Sequence, residues 1–180
     1  MRELFHHFIN ALSADEIAHL KEVGAAATAQ EGTVFSTAPD ASALRRSTIG
    51  WVTDEDVKSL LWSFVSRANE ASFDVDVTPQ ADVQFTSYFA SEHGHYDWHH
   101  DIYWNEQGPL DRKLSVTIPL SDPASYEGGA FEFDEVKTTA DFAALGSVLV
   151  FPSYLRHRVS PVTKGVRHSL VAWFSGPRWR

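Results

Sequence analysis

One short segment carries the residues best suited to chemistry: Tyr96-Asp97-Trp98-His99-His100-Asp101-Ile102-Tyr103. Successive side chains of a β-strand alternate between two faces, so His99 and Asp101 would share one face and His100 would point to the other. An imidazole and a carboxylate two residues apart can bind adjacent positions on a metal ion. His157, far along the chain, can supply a third ligand.

Two histidines and one carboxylate on one face of an octahedron, with the opposite positions open, are the ligand set of non-haem Fe(II) oxygenases. The H-x-D pattern is weak by itself, because the chain contains nine histidines. The alternative interpretation is a surface histidine pair in a polar strand. The rest of the chain has to decide between the two.

The composition indicates one globular domain. The chain has 180 residues, of which 43% are hydrophobic and 13% aromatic, enough to bury a core. It has no cysteine, so any metal must be held by histidine and carboxylate. The net charge of −9 disfavours nucleic-acid binding and leaves a peptide, a protein or a small molecule as the partner.

The sequence contains no apolar run long enough to span a membrane and no leader-like segment at its start. We therefore expect a cytoplasmic protein that does not use a membrane. The sequence does not predict the oligomeric state.

Two helices are predicted in the first third of the chain. Ser13 and Glu16 have the form of a capping box, and Gly24 is a plausible end for the helix that they open. Thr53 is the predicted N-cap of the second helix. Its apolar residues recur at helical spacing, which indicates a helix packed on a sheet: Val57, Leu60, Leu61, Phe64, Val65 and Ala68. Residues 30–43 are predicted to form a loop.

From Phe73 onward the pattern changes to short strands separated by turns. The clearest predicted strands are 83–89, 113–120, 131–133, 147–151, 157–159 and 167–174. Helices followed by about eight short strands predict an α+β domain that is mainly β, with its β part closed into a sandwich or barrel.

A site that uses Fe(II) and 2-oxoglutarate also needs a cation for the far carboxylate of this co-substrate. Arg167 follows His157 by ten residues and shares a strand face with Ser169, in an otherwise apolar segment. The guanidinium has the fork geometry for a carboxylate, so Arg167 and Ser169 could bind the same group. An isolated arginine in a strand is otherwise a surface or edge residue.

Taken in order, the motifs resemble those of the prolyl 4-hydroxylase-like Fe(II)/2-oxoglutarate-dependent dioxygenase family, of the bacterial and phage type. Tyr88 and the run from Gly94 to Asp101 resemble its Y…G-x-Y-x-x-H-x-D segment, and residues 114–129 its middle strand and turn. Residues 157–167 resemble its H-x-V-x-P-V-x-x-G-x-R segment. The resemblance covers roughly residues 45–176 in matching order.

The resemblance implies a single domain over residues 1–180. Its core would be a double-stranded β-helix (jelly-roll) over about residues 73–176, supported by N-terminal helices over about 1–72. It also implies Fe(II), 2-oxoglutarate and O2 as cofactor and co-substrates, with ascorbate as a reductant left open.

The same resemblance assigns roles to individual residues. His99, Asp101 and His157 would bind Fe(II) and carry the catalysis. Arg167 would pair with the C5 carboxylate of 2-oxoglutarate, with Tyr88 and Ser169 in the same pocket, and a hydroxyl from Ser115 or Thr117 could join them. The loop after the metal strand borders substrate entry in the family, so Tyr103 and Trp104 are expected substrate contacts, with packing of the loop onto the barrel as the alternative. Tyr96, three residues before the first ligand, is a further expected substrate contact as part of the pocket wall, with core packing as the alternative.

The implied activity is hydroxylation of a C–H bond, of a prolyl residue in a peptide or protein, with release of succinate and CO2. The alternatives are the same chemistry on a free amino acid or other small molecule, and a jelly-roll that binds metal without turnover. A metal-free binding protein would leave the histidines and aspartate unexplained. A three-histidine cupin would leave Arg167 without a role.

Overall fold

A computed structural model describes residues 3–32, 41–102, 104 and 108–179, with the backbone alone at 41 and 42. Its helices are α1 (Ala14–Ala26), α2 (Ala41–Leu44) and α3 (Glu55–Ala68). The first strands are β1 (His6–Phe8), β2 (Gln30–Glu31), β3 (Arg45–Arg46), β4 (Thr48–Val52), β5 (Ala81–Phe89) and β6 (His95–His99). They are followed by β7 (Leu110–Pro119), β8 (Glu127–Gly128), β9 (Phe131–Phe133), β10 (Val148–Pro152), β11 (His157–Val159), β12 (Val162–Lys164) and β13 (Val166–Pro177).

The strands form antiparallel sheets. A large sheet has the order β1-β10-β7-β13-β5-β4-β2, a small sheet has the order β3-β6-β11-β9, and β12 pairs with β8. The mainly β, α+β class predicted from the sequence is confirmed. The six clearest predicted strands are present, and those at 83–89, 113–120 and 167–174 belong to the longer β5, β7 and β13.

The first third of the chain contributes strands as well as helices. Strand β1 pairs with β10, β4 pairs with β5, and β3 pairs with β6, so this region extends both main sheets. The sequence predicted only helices and loop here, because strands of two to five residues give little period-two signal by themselves. Strands as short as 131–133 and 157–159 were recognised with the help of the turn residues beside them. A boundary between support and core near residue 73 stays a prediction.

The large sheet lies between the helices and the small sheet. Along β13, Leu170, Ala172 and Phe174 belong to the apolar core that contains the buried stripe of α3, while Arg167 and Trp173 line a cleft on the other face. This alternation follows from the period of two in a strand. Each fully buried leucine or phenylalanine of that core contributes about 1.5–3 kcal/mol, so the core fixes the sheet that carries the cleft.

Two details of the helices differ from the prediction. The N-cap of α3 is Asp54, whose carboxylate accepts a hydrogen bond from the backbone of Val57, so the prediction of Thr53 was wrong by one residue. Helix α1 continues past Gly24 to Ala26, and a Cβ on Gly24 would overlap the ring of Phe85. Gly24 is therefore needed for the close approach of α1 to β5, and it does not end the helix.

The capping box at the start of α1 is confirmed. Ser13 accepts a hydrogen bond from the backbone of Glu16, and the Glu16 carboxylate accepts one from the backbone of Ser13. None of the helices in the described part of the chain combines the length and apolar character needed to cross a bilayer.

Candidate active site

The two histidines of the site face each other across a pair of strands in the small sheet. His99 is the last residue of β6 and His157 is the first residue of β11, and they are direct partners in the antiparallel register. Their ring centroids lie 4.3 Å apart. Strand pairing therefore brings together two residues that are 58 positions apart in the sequence.

Asp101 reaches the same point by a different route from the one predicted. Strand β6 ends at His99, so Asp101 is not a strand residue, and the alternation of a continuing strand does not place it. Its backbone N–H instead donates to the carbonyl of Ser153, 3.0 Å away, just after β10. This contact turns the chain so that the carboxylate returns toward the histidines.

The three side chains form a compact group of possible metal ligands. One ligand atom from each of His99, Asp101 and His157 lies within 4.8 Å of the other two. The carboxylate lies between the imidazoles, with 3.6 Å from Oδ1 to the Nε2 of His99 and 3.5 Å from Oδ2 to the Nε2 of His157.

Backbone contacts orient both imidazoles. Nδ1 of His99 donates to the carbonyl of Asp97 over 2.7 Å, and Nδ1 of His157 donates to the carbonyl of Leu155 over 2.9 Å. A carbonyl can only accept, so the proton of each neutral ring lies on Nδ1 and the lone pair lies on Nε2. Both Nε2 atoms face the carboxylate. The donor set of two neutral imidazoles and one carboxylate fits Fe(II).

Ser115 on β7 holds the carboxylate. Its hydroxyl donates to Oδ2 of Asp101 over 2.7 Å and lies 2.9 Å from the hydroxyl of Ser153. Burial alone would raise the pKa of Asp101, but interactions with His157, His99 and Ser115 outweigh it and hold that pKa well below its usual range. Ser115 thus holds the carboxylate of a proposed metal ligand. The resemblance had instead suggested a hydrogen bond from Ser115 or Thr117 to the far carboxylate of 2-oxoglutarate.

Aromatic rings enclose the histidines. The ring of Phe131 stacks on His157 with centroids 5.4 Å apart, and Phe151 packs edge-on at 4.8 Å. Tyr96 lies flat on His99. Burial, followed by the repulsion that a protonated His99 would exert, lowers the pKa of His157 to about 4, so this ring is neutral and able to bind a metal near neutral pH.

Arg167 and Ser169 lie on the opposite wall of the same cleft, on the large sheet. Nη1 of Arg167 donates to the hydroxyl of Ser169 over 3.2 Å, so the two predicted co-substrate residues do share one face. The guanidinium carbon lies 5.6 Å from the ring centroid of Tyr88, the partner of Arg167 on β5. Burial raises the pKa of Tyr88, which keeps the phenol protonated and able to donate.

A second arginine, Arg45, lines the cleft and was not predicted as a site residue. It lies on β3 of the small sheet, opposite Tyr96 of β6, with its side chain buried. The sequence marked residues 45–51 only as similar to the N-terminal part of the family. A buried arginine in a two-residue strand gives no periodic signal, so only the pairing of β3 with β6 reveals its position.

The expected substrate contacts differ in their surroundings. Tyr96 lines the cleft and contacts His99. Trp104 is 58% exposed, so its side chain is not part of the core. Tyr103 lies outside the described residues. Their role in substrate binding stays a prediction.

Comparison with known proteins agrees with the Fe(II) ligand set described above. The model of the 2OG-Fe(II) oxygenase superfamily matches residues 83–175, which include all three possible metal ligands and Arg167. A PKHD-type hydroxylase of Sphingopyxis alaskensis is 34% identical over 133 residues, covering 71% of this chain and 55% of that protein. A PKHD-type hydroxylase of Synechococcus sp. (strain CC9311) is 38% identical over 81 residues, covering 44% of this chain and 36% of that protein.

Among solved structures, the viral collagen prolyl hydroxylase of Paramecium Bursaria Chlorella virus-1 superposes with a TM-score of 0.69 at 16% identity, covering 97% of each chain. This likeness extends over nearly the whole chain and confirms the double-stranded β-helix fold. The chain matches about a third to a half of the length of the two curated relatives.

Proposed function

This chain belongs to the 2OG-Fe(II) oxygenase superfamily, and from this premise we propose that it is an Fe(II)- and 2-oxoglutarate-dependent dioxygenase that hydroxylates a C–H bond. The proposal is supported above all by one observation: a set of possible metal ligands and a buried cation face each other across one cleft. The His99, Asp101 and His157 ligands lie on one wall, and the buried Arg167 lies on the other.

The iron would be held by Nε2 of His99, Nε2 of His157 and the carboxylate of Asp101. Bound Fe(II) supplies the redox chemistry by which O2, 2-oxoglutarate and a C–H substrate become succinate, CO2 and the hydroxylated product. The contacts of Nδ1 with backbone carbonyls and of Asp101 with Ser115 keep the three ligands in place before any metal arrives.

Arg167 and Ser169 would bind the far carboxylate of 2-oxoglutarate. A buried carboxylate needs a charged partner, and charge-assisted hydrogen bonds to guanidinium are the strong kind. The protonated phenol of Tyr88 lies beside the guanidinium and could add a third donor. Phe131, Phe151 and Val159 contribute apolar wall that keeps water away from the cleft.

For the substrate we propose a prolyl residue of a peptide or protein. Support comes from the name of the structural neighbour, a collagen prolyl hydroxylase, and from the motif resemblance.

The proposal is tested without any substrate. Fe(II) and then 2-oxoglutarate are added to the protein without oxygen, and the weak visible charge-transfer band of the chelate is recorded. We expect the band in the wild type and in Arg158→Gln, whose arginine pairs with Glu132 away from the cleft. In Arg167→Gln we expect a 2-oxoglutarate dissociation constant roughly 10- to 100-fold higher.

A wild-type protein that binds iron but gives no band would contradict the proposal and favour a metal-binding jelly-roll without turnover. Oxygen is then admitted and succinate is measured, with and without ascorbate, which determines whether this reductant is needed.

A further inference from the structure

The turn that follows β10 reaches the metal site through its backbone carbonyls. The carbonyl of Ser153 accepts from the backbone N–H of Asp101 over 3.0 Å, and the carbonyl of Leu155 accepts from Nδ1 of His157 over 2.9 Å. Two of the three proposed iron ligands are therefore oriented by residues 153–155. Groups that hydrogen-bond a metal ligand control its orientation and its affinity for the metal.

The middle residue of this turn, Tyr154, makes a third contact of the same kind. Nδ1 of His100 lies 2.8 Å from the carbonyl of Tyr154, and a carbonyl can only accept, so the imidazole donates. His100 lies between the ligands His99 and Asp101 in the chain. This contact therefore ties the segment that joins those two ligands to the same turn.

The inner side of the turn is well anchored. The backbone N–H of Leu155 donates to the carbonyl of Pro152 over 2.9 Å, and the N–H of Ser153 donates to the carbonyl of Lys113 on β7 over 3.0 Å. The side chain of Leu155 is buried in an apolar cluster. The ring of Tyr154 is 39% exposed, so the outer side of the turn depends on a contact at the surface.

Trp179, in the segment after β13, provides that contact. Its indole meets the ring of Tyr154 edge-on, with ring centroids 5.4 Å apart. Three successive residues of β7 hold the tryptophan. Its backbone N–H donates to the carboxylate of Asp111 over 2.7 Å, and its Nε1 donates to the carbonyl of Arg112 over 3.4 Å. The ammonium of Lys113 lies 3.9 Å from the centroid of its ring.

Lys113 connects the two attachments of the turn. Its carbonyl accepts from the backbone of Ser153, and its ammonium packs on the indole of Trp179, where the face of the ring attracts a cation. The tryptophan is thus fixed relative to β7, and Tyr154 is in contact with a fixed ring. Trp179 is not among the described residues that line the cleft, so its effect on a metal has to pass through the turn.

We propose that Trp179 is a positioning residue for the metal ligands. Its contact with Tyr154 holds the 153–155 turn in the orientation in which the carbonyls of that turn reach Asp101 and His157. This inference rests on the proposed function, in which those two residues bind Fe(II). The alternative is that Trp179 only covers Lys113 and stabilises the fold.

The first test uses the metal-free protein and measures amide hydrogen exchange by NMR. The N–H of Asp101 donates to the carbonyl of Ser153, so its exchange rate reports whether the turn stays in place. We expect Trp179→Ala to raise this rate roughly fivefold, relative to amides in the centre of β13, because an aromatic contact is lost and the turn opens locally more often.

The second test measures the Fe(II) dissociation constant by anaerobic competition with a chelator. We expect Trp179→Ala to raise it roughly fivefold, less than the roughly 10- to 100-fold effect of groups that contact a ligand directly. Trp179→Phe keeps a ring beside Tyr154 and should recover most of the affinity. Trp62→Ala is the matched control, because this indole packs on Phe174 on the helix side of the large sheet. It should lower the free energy of unfolding and leave Fe(II) binding unchanged.

A double-mutant cycle assigns the effect to the contact between the two rings. Tyr154→Ala removes the ring and keeps the backbone carbonyl, so it should weaken Fe(II) binding about as much as Trp179→Ala. The double variant should bind Fe(II) no more weakly than either single variant, because both changes remove one shared interaction. If the two fold-changes instead multiply in the double variant, the effect of Trp179 does not pass through Tyr154, and the proposal is overturned.

Wild-type Fe(II) affinity in Trp179→Ala would also overturn the proposal, as would an equal loss of affinity in Trp62→Ala. If Trp179→Ala does not fold, Tyr154→Ala decides the same question, since normal Fe(II) binding and normal exchange of Asp101 in that variant would contradict the role of the contact. A wild type that binds no Fe(II) would contradict the proposed function, and the exchange rates of the metal-free protein would still determine whether Trp179 holds the turn.

Discussion

The phenol ring of Tyr96 lies flat against the imidazole of His99, with ring centroids 3.4 Å apart and 7° between the planes. The Nδ1 contact with Asp97 fixes one edge of the imidazole, and the stacked phenol fixes its face. Together they leave His99 little freedom to rotate. A side chain that is already held in its binding orientation loses less conformational entropy when a metal binds.

Replacing Tyr96 should therefore weaken metal binding without any loss of a ligand. We expect Tyr96→Ala to raise the Fe(II) dissociation constant roughly tenfold, the lower end of outer-shell effects, and Tyr96→Phe to stay near the wild-type value because the ring is kept. Anaerobic competition titration with a chelator measures both. Similar affinities of wild type and Tyr96→Ala would mean that the stack does not orient His99.

Ser115 offers a second test of the ligand support. Ser115→Ala removes the hydrogen bond to Oδ2 of Asp101, so we expect the Fe(II) dissociation constant to rise roughly 10-fold or more. Ser147→Ala is the matched control, because the Ser147 hydroxyl is also buried but has no partner among the described residues. The control should bind Fe(II) normally and unfold at the same or a higher denaturant concentration. Equal metal affinities of the two variants would remove Ser115 from the site.

The parts of this site that could be predicted from the sequence are those with a pattern. Arg167 and Ser169 lie two residues apart in the long strand β13, so the period of two identified the face that they share. Asp101 was predicted correctly as a neighbour of His99 for a reason that does not hold, because β6 ends at His99. Its position depends on a backbone contact with Ser153 that no local pattern encodes.

The positions of Arg45 and Ser115 in the site could not be predicted from the sequence. Arg45 is placed by the two-residue strand β3, whose pairing with β6 depends on the whole fold. Ser115 could be assigned to the middle strand, but its inward face and its contact with Asp101 depend on how β7 packs against the loop after β6. Contacts between residues far apart in the sequence produce no periodic pattern from which they could be predicted.

Stability should depend on pH through His168, on the helix side of the large sheet. Its ring stacks on Phe85 at 5.3 Å, and its Nδ1 lies 2.8 Å from the hydroxyl of Ser87. Burial, followed by the charge of Lys21, lowers the pKa of His168 below its ordinary value of 6.5. Between the folded pKa and 6.5 the unfolded chain binds more protons, so the free energy of unfolding falls as the pH falls through this window.

Denaturant unfolding at about pH 7.5 and about pH 5.5 measures this effect. We expect His168→Gln to lose less stability than the wild type on acidification. His19→Gln serves as the control, since it removes one exposed histidine from α1, and it should keep the wild-type pH dependence. If both variants lose the same stability as the wild type, protonation of His168 is not coupled to unfolding.

The contact between α1 and β5 depends on Gly24, because a Cβ at this position would overlap the ring of Phe85. In an open helix Ala would be favoured over Gly by up to about 1 kcal/mol. Here we expect Gly24→Ala to lower the free energy of unfolding by about 1–3 kcal/mol through overpacking. In a Phe85→Leu background the same change should be neutral or stabilising, since the ring is gone. Chemical denaturation of the four proteins measures the coupling, and a stabilising Gly24→Ala with Phe85 intact would show that the helix shifts freely.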